Sequence, residues 1–285
     1  MNLINFAKEN YYTINPTNNR GYSKIEPFDF QLEYLKHIAE NQKVIVMKSR
    51  QMFNTTTLAV YCLWEMLYNK KNVLYIAPNK SCGDNFNEKV KQLFHKVDKT
   101  NSININKMDK FSIRFDGPYG DVWLKTATRT IPKNFRFHII IFDEFIDKTE
   151  RIYSDFLDMY FGGNKAEDVT KQILVSSLGY SVLFEKLYNG LYSKEMMFKH
   201  ELYYDMNPMY TPERLANLYD VIGEDKFEME ILNITPKSKK QKHKNDIVTF
   251  RIDQNIKQKI GLRLLETDKN VSDYIRDLIL KDIGG

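Results

Sequence analysis

The stretch KSRQMFNTTT, residues 48–57, lies between a short apolar run at 44–47 and a segment with helical character at 58–68. A strand, a tight loop and a helix form the usual frame of a phosphate-binding loop, in which backbone amides at a helix N-terminus hold an anion. The standard loop, G-x-x-x-x-G-K-[ST], has a glycine and a lysine where this chain has Phe53 and Asn54. The sequence therefore leaves open whether this loop is altered, lost or absent.

Several side chains of the loop suit a nucleotide. Thr55 and Thr56 occupy the positions at which a hydroxyl ligates Mg²⁺, and Lys48 and Arg50 supply positive charge. A glycine at position 53 would let the main chain turn sharply and approach a phosphate closely. Phe53 at this position either imposes a different backbone or is strained.

Asn54 stands where the lysine of the standard loop would be. Its amide can donate a hydrogen bond, but it carries no charge for the β- and γ-phosphates. The spacing of residues alone therefore does not decide whether the loop holds a nucleotide.

Strand-like and helix-like segments alternate between residues 44 and 235. This alternation favours an α/β fold with a mainly parallel sheet flanked by helices. The strands are predicted at 72–78, 121–128, 137–145 and 172–179, and the helices at 82–97 and 182–192.

The apolar strand HIIIFDEF, residues 138–145, ends in two consecutive carboxylates. Ligands of open α/β sheets bind beyond the carboxyl ends of the strands. Asp143 could there hold Mg²⁺ through water, and Glu144 could orient or deprotonate a water that attacks a γ-phosphate. The alternative is a strand that simply leads into solvated acids.

The overall composition excludes several classes of protein. Hydrophobic residues make up 42% of the 285 and charged residues 28%, which is typical of a soluble globular protein. The apolar runs are far shorter than the roughly 20 residues that cross a bilayer. Cys62 and Cys82 are too few for a disulfide framework or a zinc site. With no export signal at the N-terminus, the sequence predicts a cytoplasmic protein without a membrane partner, in a host cell if the protein is viral.

Positive charge is concentrated in the last fifty residues. Residues 236–285 contain twelve Lys and Arg against seven Asp and Glu, whereas the rest of the chain has equal numbers of each. The lysine-rich stretch 236–246 reads as an exposed linker, and residues 1–27 as an N-terminal arm without a core of its own. The basic tail indicates a polyanion partner, or else a solvated tail without one.

Four segments, in order, resemble the ATPase domain of the terminase large subunit, the motor that packages DNA in tailed bacteriophages. That family's loop commonly reads S-R-Q-x-G-K-T-T, and residues 49–56 read SRQMFNTT. FQLEYLKHI (30–38) is similar to the adenine-reading segment, IIIFDEF (139–145) to the Walker B strand, and ILVSSLG (173–179) to the coupling strand, which usually ends in T-T-P-N-G. The resemblance covers about residues 28–235 and implies a P-loop NTPase that binds ATP and Mg²⁺.

The resemblance also implies roles for individual residues. Gln31 would read the adenine, and Ser176, Ser177 and Gly179 would couple the site to movement. Asp143 and Thr55 would hold the metal. The nucleotide would be held by Lys48, Ser49, Gln51, Asn54, Thr55 and Thr56.

The loop departs from the family pattern at its lysine and its glycine. Some members begin the loop with a lysine instead, K-S-x-x-x-G-x-[ST], and Lys48 with Ser49 and Thr55 resembles that arrangement. Lys48 would then reach back to the phosphates, although even these members keep the glycine that Phe53 replaces. Arg50 matches an arginine that stabilises transition-state charge within the chain; the alternative is an ion pair with a nearby acid. Hydrolysis of ATP stays open.

The family's large subunit usually continues into a nuclease domain of the ribonuclease H type. There is no room for such a domain between Thr235 and Asp246, so we expect no nuclease activity from this chain.

The C-terminal residues 247–283 form one predicted strand, IVTFRI, and two predicted helices. So short a segment cannot bury its apolar faces alone, and pairing two copies would cover them. It resembles the ribbon-helix-helix family of DNA-binding domains, whose paired strands enter the major groove. The resemblance implies that Thr249 and Arg251 face base edges and that the helix beginning near Ser272 holds a phosphate. The alternative is a module that only dimerises the chain.

Two functional hypotheses follow. The first is a terminase-like ATP-binding protein that acts on double-stranded DNA in viral genome packaging. It would form a homo-oligomer, a dimer through the C-terminal domain or a ring, and could bind a portal and a small terminase subunit. The second is an inactive, ATPase-derived DNA-binding regulator that dimerises through the ribbon-helix-helix domain.

Overall fold

The computed structural model describes residues 1–14, 22–97, 104–108, 112–116, 122–130, 137–146, 150–155, 170–190 and 197–234. The predicted linker and ribbon-helix-helix domain lie outside the described residues. Thr249, Arg251 and Ser272 therefore stay predictions.

Seven helices and ten strands are labelled here in chain order. The helices are α1 (Leu3–Asn10), α2 (Asp29–Glu40), α3 (Asn54–Asn69), α4 (Lys80–Val97), α5 (Val182–Tyr188), α6 (Pro212–Ile222) and α7 (Glu224–Glu230). The strands are β1 (Tyr12–Ile14), β2 (Tyr22–Lys24), β3 (Lys43–Lys48), β4 (Val73–Ile76), β5 (Asn104–Met108), β6 (Ser112–Asp116), β7 (Val122–Ala127), β8 (Ile139–Asp143), β9 (Lys171–Ser176) and β10 (Phe198–Leu202). A 3₁₀ turn spans Tyr204–Met206, and residues 150–155 are also helical.

The main sheet has the strand order β10-β3-β9-β8-β4-β7-β6-β5 within the described chain. Neighbouring strands from β10 to β7 pair in parallel, and β6 and β5 add an antiparallel edge. This confirms the predicted mainly parallel sheet flanked by helices. The predicted strands and helices are present with boundaries shifted by a few residues, whereas β10 carried no signal that we recognised.

The register of the central strands positions the site. β9 lies between β3 and β8, pairing Met47 with Ser176 on one side and Asp143 with Val175 on the other. The carboxyl ends of β3 and β8 are thus separated by two strand spacings, roughly 10 Å. Side chains that leave the loop after β3 must cross this gap to contact the acids at the end of β8.

The two faces of the sheet are covered by different helices. Alternate residues of β3 divide between them: Val44 and Val46 join a core formed with α1 to α4, and Ile45 and Met47 join a core with α5. Helix α1, which lies in the predicted N-terminal arm, packs into the first of these cores through Leu3, Phe6 and Ala7. Among the described residues, no helix is long and apolar enough to cross a membrane.

Candidate nucleotide-binding site

The loop between β3 and α3 has a left-handed backbone at two residues. Gln51 and Phe53 both have φ of 56°, and Phe53 is the N-cap of α3. This conformation costs a residue other than glycine roughly 1–2 kcal/mol. The sequence left open whether Phe53 imposes a different backbone or is strained. The structure shows a strained residue, because Phe53 adopts the left-handed conformation that glycine takes without steric cost.

Lys48 connects the loop to the acids of the neighbouring strand. Its Nζ donates to Oε1 of Glu144 at 2.5 Å, and its side chain is only 7% exposed, against 38% for Glu144. Burial lowers the pKa of Lys48, but the charges of Glu144 and Asp143 and this hydrogen bond outweigh burial and raise it. Lys48 is thus a charged, nearly buried ammonium directed at the end of β8.

Asn54 makes a second connection between the loop and β8. Its Nδ2 donates to Oδ1 of Asp143 at 2.9 Å, and the hydroxyl of Tyr34 donates to Oδ1 of Asn54 at 3.0 Å. The Asp143 carboxylate fixes the orientation of the amide, because a flipped Asn54 would present its oxygen to an acceptor. Tyr75 donates to the other oxygen of Asp143. The neutral residue in the lysine position thus orients the Asp143 carboxylate.

The Asp143 carboxyl has an unusual proton affinity. Burial and the nearby charge of Glu144 raise its pKa to about 6, although Lys48 and the Tyr75 hydroxyl oppose the shift. Since each pKa unit corresponds to about 1.4 kcal/mol, the ionised carboxylate is held at a cost to the folded protein. A divalent cation or another positive group near Asp143 would remove that cost.

We expect the substitution Asp143→Asn to stabilise the protein at pH 8. Folding raises the pKa of Asp143, so the folded state binds more protons than the unfolded chain between about pH 4 and pH 6, and stability falls as pH rises through this window. The variant lacks this loss, so it should gain on the order of 2 kcal/mol over wild type above pH 6. Urea unfolding at pH 8 and pH 4.5 measures the gain.

The gain from Asp143→Asn should shrink towards pH 4.5, where the wild-type carboxyl is protonated. Asp220→Asn, on the exposed side of α6, serves as the control and should show no such dependence. A variant less stable than wild type at pH 8 would show that the ionised carboxylate is stabilising.

The end of β9 is tied to both neighbouring strands. The Ser177 hydroxyl donates to the carbonyl of Lys48 at 2.8 Å, and the Ser176 hydroxyl donates to the carbonyl of Phe145 at 3.2 Å. The end of β9 is thus hydrogen-bonded both to the start of the loop and to the segment that follows the acids. This is the geometry that the predicted coupling role requires, and the role itself stays a prediction.

Gly179 closes the segment that follows β9. It has φ of +84°, and its amide donates to Oε1 of Glu185 at 2.8 Å. A Cβ at this position would lie 2.8 Å from both Cγ and Sδ of Met229 in α7. Glycine is needed here for the backbone, and a Cβ would also require the Met229 side chain to shift.

We expect Gly179→Ala to destabilise the protein by roughly 2–4 kcal/mol, because left-handed strain adds to a steric overlap with Met229. Gly190→Ala is a matched control: its φ is +73°, and no heavy atom described in the structure lies within 4 Å of a Cβ there. It should cost about 1 kcal/mol from the backbone alone. Urea unfolding measures both, and equal losses would contradict the close packing of Met229.

Two predicted loop residues direct their side chains towards the segment 202–234 instead. Ser49 is buried and donates to the carbonyl of Ile231 at 2.6 Å. Gln51 accepts from Arg214 at 2.5 Å. In this structure, neither side chain is placed to hold a phosphate.

Arg50 forms an ion pair with Glu230 at the end of α7. Tyr180 donates to the other oxygen of Glu230, and the Arg50 backbone amide donates to the Glu230 carbonyl at 2.5 Å. The Arg50 side chain is 48% exposed. The ion-pair alternative for Arg50 is thus present in this structure, and a catalytic role requires that the pair opens.

The remaining predicted residues lie at the edges of the site. Thr55, in the first turn of α3, is half-buried, and Thr56 is buried and accepts from Nζ of Lys89 at 3.0 Å. Gln31 is fully buried; its Oε1 accepts from the Phe28 amide at 2.9 Å, and its Nε2 has no partner. The structure thus brings Lys48, Asn54, Asp143 and Glu144 together and leaves Gln31 at a separate position.

The sequence analysis missed four residues that shape the site: Tyr34, Tyr75, Lys89 and Glu230. Tyr34 was within reach, since it lies one helical turn after Gln31 in a segment already singled out. Tyr75 lies on a strand that is buried on both faces, so the sequence suggests a core residue and not a hydrogen-bond donor of the site. Lys89 in α4 contacts Thr56, and Glu230 in α7 contacts Arg50. No local sequence pattern predicts these long-range contacts.

The residues present fit a magnesium nucleotide. Mg²⁺ in such sites is usually bound by one or two carboxylates together with substrate phosphates and water. Asp143 and the Thr55 hydroxyl supply oxygen ligands. The raised pKa of Asp143 means that its ionised form is disfavoured, and a nearby cation would stabilise that form. Among the described residues, no group of three or more His, Cys, Asp and Glu could hold a metal alone.

Comparison with known proteins identifies structural relatives only. No protein-family model matches the chain, and no curated protein matches its sequence. Its fold is similar to the large terminase ATPase domain of Thermus phage P74-26, with a TM-score of 0.59 and 12% identity over 74% of this chain and 94% of that one.

Two large terminases are similar over a comparable share of this chain. One is the large terminase of a thermophilic bacteriophage in complex with ATP-gamma-S, with a TM-score of 0.53, 12% identity and coverage of 73% of this chain and 53% of that one. The other is the large terminase of bacteriophage HK97, with a TM-score of 0.51, 14% identity and coverage of 70% and 43%. This chain spans about half the length of these two proteins. Its described residues have the fold of phage large terminase ATPase domains.

Proposed function

We propose that the protein is a terminase-like ATPase that acts on double-stranded DNA during viral genome packaging. The observation that carries the proposal is the joining of the loop to the acidic strand. Lys48 contacts Glu144, and Asn54 contacts Asp143, across the roughly 10 Å that separate β3 from β8. A buried, charged lysine and two carboxylates beside an anion-binding loop are the groups that a magnesium nucleotide requires.

Lys48 takes the role of the missing loop lysine in this proposal. When a nucleotide binds, its terminal phosphate competes with Glu144 for the Lys48 ammonium. Transfer of Lys48 to the phosphate releases the Glu144 carboxylate, which then orients a water molecule and accepts its proton. The Lys48–Glu144 pair therefore keeps the base occupied until a triphosphate is in place.

Asp143 and Thr55 hold Mg²⁺ in the proposed complex, which neutralises charge on the phosphates. Asn54 and Tyr75 keep the Asp143 carboxylate in one orientation. Arg50 leaves Glu230 to approach the transferred phosphoryl group. Ser176 and Ser177 transmit the displacement of both strands to β9, and Gly179 allows the turn after it.

The DNA-binding part of the proposal rests on the sequence of residues 247–283. Thr249 and Arg251 would contact bases and the helix near Ser272 a phosphate, in a dimer of the ribbon-helix-helix domain. The similar large terminase in complex with ATP-gamma-S supports ATP as a ligand by analogy of fold. DNA and a portal enter the proposal from the resemblance of the sequence motifs to the terminase family. A small terminase subunit and a ring-shaped homo-oligomer belong to the same proposal, with nuclease activity supplied elsewhere or absent.

The experiment that tests the proposal is ATP binding and turnover by the purified full chain, with and without Mg²⁺ and duplex DNA. Submillimolar ATP binding and Mg²⁺-dependent turnover that DNA stimulates are expected. Sedimentation with ATP-gamma-S distinguishes the motor from the regulator of the second hypothesis. A packaging motor should assemble beyond tetramers, whereas a regulator should stop at dimers or tetramers. DNA binding by a dimer that does not bind ATP at millimolar concentration would replace the motor with the regulator.

A further inference from the structure

Arg214, in the first turn of α6, lies against the loop between β3 and α3. Its Nη2 donates to Oε1 of Gln51 at 2.5 Å, and its Nη1 donates to the carbonyl of Met209 at 3.4 Å. Its guanidinium carbon lies 5.5 Å from the centroid of the Tyr210 ring, and the Tyr210 hydroxyl donates to the carbonyl of Arg50. These contacts hold the guanidinium beside residues 50 and 51 of the loop.

The charge of Arg214 stands in an unfavourable setting. In the described part of the chain Arg214 forms no ion pair, whereas Arg50 pairs with Glu230. Both groups that accept from its guanidinium are neutral. A cation in the first turn of a helix also meets the positive end of the helix dipole, and the acid of that turn, Glu213, is exposed. A bound anion beside Arg214 would therefore be favoured.

We propose that Arg214 binds the phosphate chain of the nucleotide that the loop holds. This inference rests on the proposed function. When the phosphates are bound, the guanidinium exchanges the Gln51 amide oxygen for phosphate oxygens, while its stem stays over the Tyr210 ring. The exchange is favourable because a hydrogen bond between two charged groups is stronger than one to a neutral amide. The planar fork of an arginine also matches the geometry of a phosphate.

Arg214 and Arg50 differ in what each must give up to reach a phosphate. Arg50 has to leave the Glu230 carboxylate, which also accepts from the Tyr180 hydroxyl. Arg214 has to leave only the neutral amide of Gln51. Arg214 should therefore contribute to the affinity for the nucleotide, whereas the contribution of Arg50 falls in the later step that transfers the phosphoryl group.

The loop backbone keeps other contacts when Arg214 leaves the Gln51 side chain. The Gln51 carbonyl accepts from Nδ2 of Asn207 at 3.2 Å, and the Arg50 carbonyl accepts from the Tyr210 hydroxyl. A substitution of the Gln51 side chain therefore frees the guanidinium and leaves these backbone contacts in place. This separates a direct contact of Arg214 with phosphate from an effect that Arg214 exerts by orienting Gln51.

The test measures the affinities for ATP and inorganic tripolyphosphate by calorimetry, using the full chain with Mg²⁺. Arg214→Met keeps an unbranched stem over Tyr210 but removes the guanidinium, and it should weaken both ligands by the same factor, roughly tenfold. Arg214→Lys keeps the charge without the fork and should fall between Arg214→Met and wild type. Gln51→Met removes the competing acceptor and should tighten both ligands. Arg151→Met, at an exposed arginine in the helical residues 150–155, is the control and should bind like wild type.

Three results would overturn the role of Arg214 while leaving the proposed function in place. One is wild-type affinity for both ligands in Arg214→Met and Arg214→Lys. Another is a loss confined to ATP, because Arg214 would then contact the sugar or the base. The third is an equal weakening in Gln51→Met and Arg214→Met, which would mean that Arg214 acts only by orienting Gln51. Wild-type protein that binds neither ligand would instead overturn the proposed function itself.

Discussion

Replacing Glu144 with glutamine is expected to lower ATP turnover at least roughly a hundredfold while ATP binding persists. Among the acids of the site that the structure describes, Glu144 is the most exposed, so it is the group that a water can reach. Loss of a general base costs 10²–10⁴-fold as an order-of-magnitude range. Glutamine retains an oxygen that can accept from Lys48, so the loop should keep its connection to β8. Turnover and affinity measured on one preparation separate the two effects.

The affinity of Glu144→Gln for ATP carries further information. A neutral amide competes less well than a carboxylate for Lys48, so the phosphates should gain Lys48 more easily and ATP should bind as tightly as in wild type or more so. Glu213→Gln, at the exposed start of α6, is the control and should turn over normally. A Glu144→Gln protein that retains a tenth of the activity would exclude Glu144 as the base.

The fold was readable from the sequence because its strands carry strong local signals. β3, β8 and β9 are apolar on both faces, and such runs are typical of parallel strands covered by helices. β10 pairs in parallel with β3, but its sequence FKHEL is mostly polar because it is an edge strand. Because most of its residues are polar, β10 was not predicted as a strand. Its position depends on long-range pairing with β3, which a short stretch of sequence does not determine.

The site was only partly readable, for a similar reason. Lys48, Asn54, Asp143 and Glu144 were named from motifs adjacent to strands, and the structure brings them together. The pairing of Arg50 with Glu230 joins residues 180 positions apart. Nothing local predicts such a contact, because it depends on how the segment after α6 packs against the loop. The phenylalanine in the loop was recognised as a departure, but its left-handed backbone was visible only in three dimensions.

Replacing Lys48 with alanine is expected to weaken ATP binding by roughly tenfold to a hundredfold. A charge-assisted hydrogen bond contributes about 1.5–3 kcal/mol, and every 1.4 kcal/mol is tenfold in affinity. Calorimetry with ATP and Mg²⁺ measures the loss. Lys48→Arg keeps the charge and should retain part of the affinity, and Lys36→Ala, on the exposed side of α2, should retain all of it.

Lys48→Ala also removes the cation that neutralises two acids, and this second effect must be separated from the first. Without Lys48, the pKa of Asp143 rises further, because the ammonium holds it down. The variant should therefore lose stability as pH rises, since the protonated carboxyl is then the favoured form in the folded state. Urea unfolding at pH 6 and pH 8 detects this loss independently of ATP.

The double variant Lys48→Ala/Glu144→Gln decides between the two roles of Lys48. It removes both members of the ion pair, so no carboxylate of that pair is left without its cation. If Lys48 only neutralises Glu144, the double variant should bind ATP like Glu144→Gln. If Lys48 holds the phosphates, the double variant should bind as weakly as Lys48→Ala, although its stability recovers. Recovered stability with weak ATP binding would show that Lys48 binds the phosphates, the role that the standard loop gives to a lysine at the position of Asn54.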